Sequence, residues 1–245
     1  MTRPLLWHLK VSHYNEKARW ALDYKRFPHR RRAVHPGVHP LIAKRLTGGQ
    51  TLPILVLDGE AIGDSSRIIE TLERRKPDPP LYPSDPEERR RALELEELFD
   101  EELGPYSRIL AMHHALPDPD LWLSTFMPDL RGRARAAARA GFGGIRKQIE
   151  GQFALSEETV AGAFAKVRAA GERFKAEVGE SGHLVGDRFT VADLTLAALV
   201  APLVAPPQFP YPQPQRDHPR YAPVRDALAE SGLLDWARAT YARHR

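Results

Sequence analysis

Pro53 constrains this chain more than any other residue. It opens an apolar run, Ile54 to Leu57. Proline cannot donate to a sheet ladder, so this strand either begins at Pro53 or lies on a sheet edge. Asp58-Gly59 follows at once and predicts a tight hairpin. Asp64, Ser65 and Ser66 then precede Ile68, Ile69 and Leu72, which recur at helical spacing. Backbone N–H groups at a helix start, with small hydroxyls beside them, form a ready anion site. The stretch Gly48 to Ile69 therefore predicts a turn, a buried strand, a hairpin and a capped helix, suited to recognising a small peptide-like anion.

The surrounding pattern extends this unit. Strands are expected near 4–9 and 30–34, with a helix near 14–26 between them. A Pro/Gly/His-rich loop, His35 to Pro40, leads to a short helix near 40–46. Strands near 53–57 and 60–63 and a helix near 65–75 complete a βαβαββα order, which fits an α/β thioredoxin-like domain over residues 1–76. Residues 77–86 hold five prolines and read as a linker. Beyond it, 87–245 reads as an all-α domain. Leu93, Leu95, Leu98, Phe99 and Leu103 have helical spacing on an acidic background, and further helices are expected near 157–178, 190–203 and 221–242. Pro206 to Pro214 is expected to run extended on the surface. The Gly/Ala/Arg-rich residues 131–147 leave three readings open: a helix, a flexible insertion or a lid.

The Gly48–Ile69 stretch resembles the thiol-binding half of the glutathione S-transferase family. Three further segments carry the resemblance in family order. Ser12-His-Tyr-Asn-Glu-Lys-Ala-Arg-Trp-Ala-Leu22 is similar to the family's first strand-to-helix turn. Leu81-Tyr-Pro-Ser-Asp-Pro-Glu-Glu-Arg89 is similar to its interdomain linker. Gly186-Asp-Arg-Phe-Thr-Val-Ala-Asp-Leu-Thr-Leu196 resembles its C-terminal capping motif, in which Thr190 and Asp193 form a capping-box pair and Phe189 is placed to staple against Leu194. The resemblance implies a cis bond before Pro53, backbone pairing of Leu52 with the cysteinyl part of glutathione, and capture of the γ-glutamyl end by Asp64 and Ser65. It places Ser12 at the position of the thiol-activating group, with a plain helix N-cap as the alternative. Tyr14 is a rival donor or pocket wall, and the Asn15 amide could also donate. His13 and Asn15 depart from the family pattern. His39, Lys44 and Gln50 are available to the glycyl carboxylate, and spacing does not choose among them. Trp7, Tyr14, Tyr106, Leu110, Met112, His113, Trp122 and Phe126 are candidate walls for an electrophile.

Composition excludes several chemistries. The chain has no cysteine, so it forms no disulfide, no Cys-ligated metal site and no cysteine nucleophile. Thiol-transfer reactions that need a protein cysteine are thereby excluded. The net charge is +4, and the basic cluster Arg26 to Arg32 is not joined by any nucleic-acid reader motif, so no nucleic-acid partner is expected. No apolar run approaches the ~20 residues a membrane span needs, and a cytoplasmic protein without a membrane partner is expected. His35 and His39 are four apart, but Pro36 and Gly37 argue against a helix there, so no metal is expected.

The resemblance implies transfer of glutathione, as co-substrate, or a related thiol to a small hydrophobic electrophile, by a homodimer. The alternative is a catalytically silent member acting as a binding or scaffold protein.

Overall fold

The computed structural model describes residues 3–245. Residues 1 and 2, with which the expected N-terminal domain begins, lie outside the described residues. The N-terminal unit runs β1 (Leu5–His8), α1 (His13–Tyr24), β2 (Arg30–Ala33), α2 (His39–Thr47), β3 (Ile54–Leu57), β4 (Glu60–Gly63) and α3 (Ser65–Arg75). The sheet order is β2-β1-β3-β4. β1 and β2 are parallel, whereas β1/β3 and β3/β4 are antiparallel. This is a thioredoxin-like domain. Asp58 and Gly59 both take positive φ, 52° and 88°, as a two-residue hairpin of this twist requires.

Strand alternation sends successive side chains to opposite faces. Leu6, Leu55 and Leu57 enter the main core with Ala18, Leu22 and Ile68. Trp7, Ile54 and Val56 pack on the other face, with Ala43 of α2. Trp7 therefore lies beneath α2, with the Arg32 guanidinium 4.7 Å from its ring centroid, and does not form an electrophile wall.

The remaining chain is helical: α4 (Pro86–Glu102), α5 (Gly104–Ala115), α6 (Pro119–Phe126), α7 (Gly132–Ala140), α8 (Phe142–Gln152), α9 (Glu157–Glu177), α10 (Val191–Val204), α11 (Ala222–Glu230) and α12 (Leu233–His244). α10 is the axis of the molecule and packs against α1, α4, α5 and α12. Its Leu194, Leu196, Leu199 and Leu203 are all buried, and each contributes about 1.5–3 kcal/mol relative to exposure. Asp193 anchors its start. One carboxylate oxygen accepts from the Thr190 N–H at 2.8 Å, and the other from the Leu184 N–H at 2.9 Å.

Four expectations need correction or completion. The 131–147 segment forms α7 and the first half of α8, and α7 buries no residue. The expected helix near 221–242 is two helices, because Gly232 takes φ 76° between them. Phe189, expected against Leu194, also stacks on Trp20 and His244 within the same core. The Pro206–Pro214 segment is not simply on the surface: Phe209 is buried, and Tyr211 stacks on His8 of β1, because these aromatics find the Arg19 guanidinium 5.7 and 5.1 Å away.

The linker is strapped down. Lys25 Nζ is fully buried, donates to the carbonyls of Lys76, Pro77 and Pro79, and pairs with Glu73 at 2.6 Å. Among the described residues no helix is long and apolar enough to cross a membrane.

Candidate functional site

A cleft of about 610 Å³ lies between the two domains. The N-terminal domain supplies Ser12, Tyr14, His39, Leu52, Asp64 and Ser65 to its lining, six of the eight residues singled out from the sequence. The two others do not reach it. Pro53 is buried behind Leu52, to which it is joined by a cis peptide bond. Gln50 is exposed on the turn after α2, where Gly48 ends the helix and carries the chain outward. Lys44 is likewise exposed and outside the lining.

Ser12 is the N-cap of α1. Its Oγ accepts from the Asn15 backbone N–H at 3.4 Å and from Asn15 Nδ2 at 2.7 Å. Both contacts are donations to Ser12, and no acceptor among the described residues takes its own proton. Asn15 is fully buried. Its Nδ2 also donates to the Leu52 carbonyl at 2.9 Å, and its Oδ1 accepts from the Leu9 N–H at 3.0 Å. The Asn15 amide is therefore consumed by protein partners and does not itself face the cleft.

Tyr14 is also committed. Its hydroxyl donates to the Asp100 carbonyl at 2.5 Å. Gly104 makes this possible, since a Cβ there would lie 2.0 Å from the phenol oxygen. Burial, reinforced by Asp100, holds the phenol well above its ordinary range, so Tyr14 keeps its proton. His13 is buried beside it, with Nε2 2.8 Å from the Gly104 carbonyl. A carbonyl only accepts, so Nε2 carries a proton. Burial, with the nearby Arg108 charge, lowers the His13 pKa to about 3 and keeps the ring neutral. His13 and Tyr14 thus pin the Ser12 turn to the α4–α5 junction.

At the other end of the cleft Asp64 caps α3, its Oδ1 accepting from the N–H groups of Ser66 and Arg67 at 2.8 and 3.2 Å. Asp64 takes φ 72°, a region that costs a non-glycine residue about 1–3 kcal/mol and collects at functional sites. Behind the lining, Lys17 Nζ bonds Ser66 Oγ at 2.7 Å and Asp100 at 2.5 Å, and pairs with Glu96 at 2.9 Å. This brace ties α1 and α3 to α4 across the domain boundary.

The facing wall was not found from the sequence. Leu93, Glu96, Glu97, Asp100 and Glu101 of α4 line the cleft, together with Arg108 of α5. Their spacing of i, i+3, i+4, i+7 and i+8 is a single helical stripe, which is a signal that the leucines of the same segment obscured. Arg108 is the one lysine or arginine on the lining and forms no ion pair among the described residues; its guanidinium stands 5.4 Å from the Phe153 ring centroid. Of the candidate electrophile walls only Tyr14 reaches the cleft. Leu110, Trp122 and Phe126 are buried in the core, and His113 is exposed. His39 lines the cleft with its ring kept neutral by burial. Among the described residues no group of three or more metal-ligating side chains is assembled.

A thioredoxin-like domain joined to a helical domain, with a cleft between them, defines a class that comparison with known proteins makes specific. Residues 6–80 match the family model described as glutathione S-transferase, N-terminal domain. Over that stretch the chain is similar to the N-terminal domain of glutathione S-transferases. It is 29% identical over 117 residues to a probable maleylacetoacetate isomerase of Drosophila melanogaster; the match spans 44% of this chain and 42% of that protein's length. A glutathione S-transferase structure from Methylobacterium radiotolerans, in complex with glutathione sulfonate, is 25% identical, with a TM-score of 0.56 and 94% of each chain covered. A beta-etherase from Sphingobium is 17% identical, with a TM-score of 0.64 and all of both chains covered, a likeness of fold alone.

Proposed function

We propose that the protein transfers glutathione, or a related low-molecular-weight thiol, to a small hydrophobic electrophile. One observation carries this reading: Ser12, with a hydroxyl proton free of protein acceptors, shares a cleft with Leu52, Asp64 and Ser65. A free thiol titrates near 8.5 and is mostly protonated at neutral pH. A hydroxyl donor at the sulfur, beside the start of α1, selectively stabilises the thiolate. The thiolate sulfur then bonds to the electrophilic carbon. The leaving group takes its electron pair, and the thiol proton passes to water. Leu52 pairs with the thiol peptide through its backbone, and Asp64 and Ser65 hold the γ-glutamyl end. The acidic stripe of α4 suits that end's ammonium group. The Methylobacterium relative, crystallised with glutathione sulfonate, supports the choice of thiol. The working form in this reading is a homodimer, which sedimentation would test.

The experiment is calorimetric titration of the protein and of Ser65→Ala with reduced glutathione. Binding in the micromolar-to-millimolar range that weakens in the variant supports the site; no binding at several millimolar overturns it. Turnover of a generic aryl halide tests the chemistry. Ser12→Ala then lowers kcat/KM about 10-fold or more, as one oriented donor contributing over ~1.4 kcal/mol requires.

A further inference from the structure

We propose that Asn15 is the positioning residue that aims the Ser12 hydroxyl into the cleft, by donating its side-chain amide to Ser12 Oγ and to the Leu52 carbonyl at once. The inference rests on Ser12 being the thiol donor. An asparagine amide has one acceptor and two donor positions, and all three are engaged here. Oδ1 receives the Leu9 N–H at 3.0 Å, while Nδ2 gives one proton to Ser12 at 2.7 Å and one to Leu52 at 2.9 Å. The opposite rotation would set Oδ1 against the Leu52 carbonyl and Nδ2 against the Leu9 N–H, so the amide has one admissible orientation. Ser12 Oγ then accepts twice from residue 15, and its single proton can only point away, into the cleft. A hydroxyl that accepts a hydrogen bond is also a stronger donor. The same side chain links the two loops that bracket the thiol, Leu9–Ser12 and Leu52.

The absence of cysteine from the chain makes a direct test available. Ser12→Cys places a single thiol under the Asn15 amide, and its alkylation by iodoacetamide as a function of pH reports its titration with no glutathione present. The expected titration lies about one unit or more below the ordinary thiol value of ~8.5. Adding Asn15→Asp keeps the shape and the acceptor for Leu9 but removes the donor; adding Asn15→Ala removes the donor without adding charge. Both return the thiol to about 8.5 or above. Arg19, whose guanidinium reaches the Ser12 carbonyl, and His13, Tyr14, Arg108, Asp64 and Asp100 are the same in each pair, so the difference belongs to residue 15. Identical titration with and without the Asn15 change overturns the proposal. If the double variants fail to fold, the Ser12→Cys protein alone decides, and a thiol at or above ~8.5 overturns it. In the otherwise native protein, Asn15→Ala lowers kcat for the aryl halide about 10-fold, and lowers it by much less when Ser12→Ala is already present. Additive losses in that double variant overturn the proposal. A protein that binds no glutathione yet shows the Asn15-dependent thiol refutes the glutathione reading and leaves the role of Asn15 standing.

Discussion

α1 and α7 look alike as sequences, short and rich in charge, yet the fold treats them in opposite ways. α1 carries four charged residues and buries Glu16, Lys17 and Arg19 completely. α7 carries three arginines and buries nothing. The buried charges are each matched. Arg19 reaches Glu16 at 2.8 Å, His8 at 3.0 Å and the carbonyl of Leu9 at 2.9 Å. Glu16 also receives Arg245 at 2.6 Å. In α7, Arg135 and Arg139 share the exposed Asp120 at 3.4 and 2.9 Å. Charges between the sheet and α10 have lost their water and need specific partners, whereas charges in water interact weakly with any partner. The cleft is built on the first kind. Lys17 and Arg19 hold the turn and helix that present Ser12, and α7 takes no part in the lining.

This contrast predicts a graded series. Arg19→Ala takes from buried Glu16 one of its two arginines and leaves the carbonyls of Leu9, Lys10 and Ser12 without their guanidinium donor, and should cost about 3–5 kcal/mol in chemical denaturation. A loss below ~1 kcal/mol would mean that water reaches α1 and that the two helices differ less than described. Arg245→Ala leaves Glu16 with Arg19 and should cost about 1.5–3 kcal/mol, the range for hydrogen bonds to charged groups.

His13 sharpens the comparison through pH. Its folded pKa, about 3, lies below the unfolded value near 6.5. Between those values the unfolded chain binds the extra proton, so stability falls as pH drops from about 6.5 towards 3 and is unaffected by this residue at higher pH. His8, lowered to about 3 by burial and the Arg19 charge, acts in the same direction. His13→Gln, whose amide can keep the Gly104 bond, should flatten the decline in melting temperature between pH 7 and pH 5. An unchanged slope would exclude His13 as a contributor. At the bottom of the series, Arg139→Ala should change stability by no more than ~0.5 kcal/mol, and less in high salt. A larger effect would show that the α7 arginines are more than a solvated face.

The sequence by itself determined the features whose physics is local. Pro53 before an apolar run, Asp58-Gly59 at a hairpin, Asp64 before a helix and Thr190 three residues before Asp193 act through backbone geometry and hydrogen bonds within a few residues, so each could be read without knowing the fold. Six of the eight candidate residues line one cleft, three of them, Leu52, Asp64 and Ser65, from the Gly48–Ile69 stretch. Tertiary structure alone decided the rest, because those outcomes depend on which surfaces meet. Trp7 went beneath α2 because strand alternation had no visible partner until the sheet formed. Asn15 became a three-way link only when the Leu52 loop came within 2.9 Å of it. Tyr14 was taken out of contention by a carbonyl 86 residues further along. The acidic stripe and Arg108 joined the site because α4 and α5 close over it, and Glu16, Lys17 and Arg19 were buried because α10, distant in sequence, covers α1. A residue's type states what bonds it can make. Desolvation by distant segments determines which of them it must make.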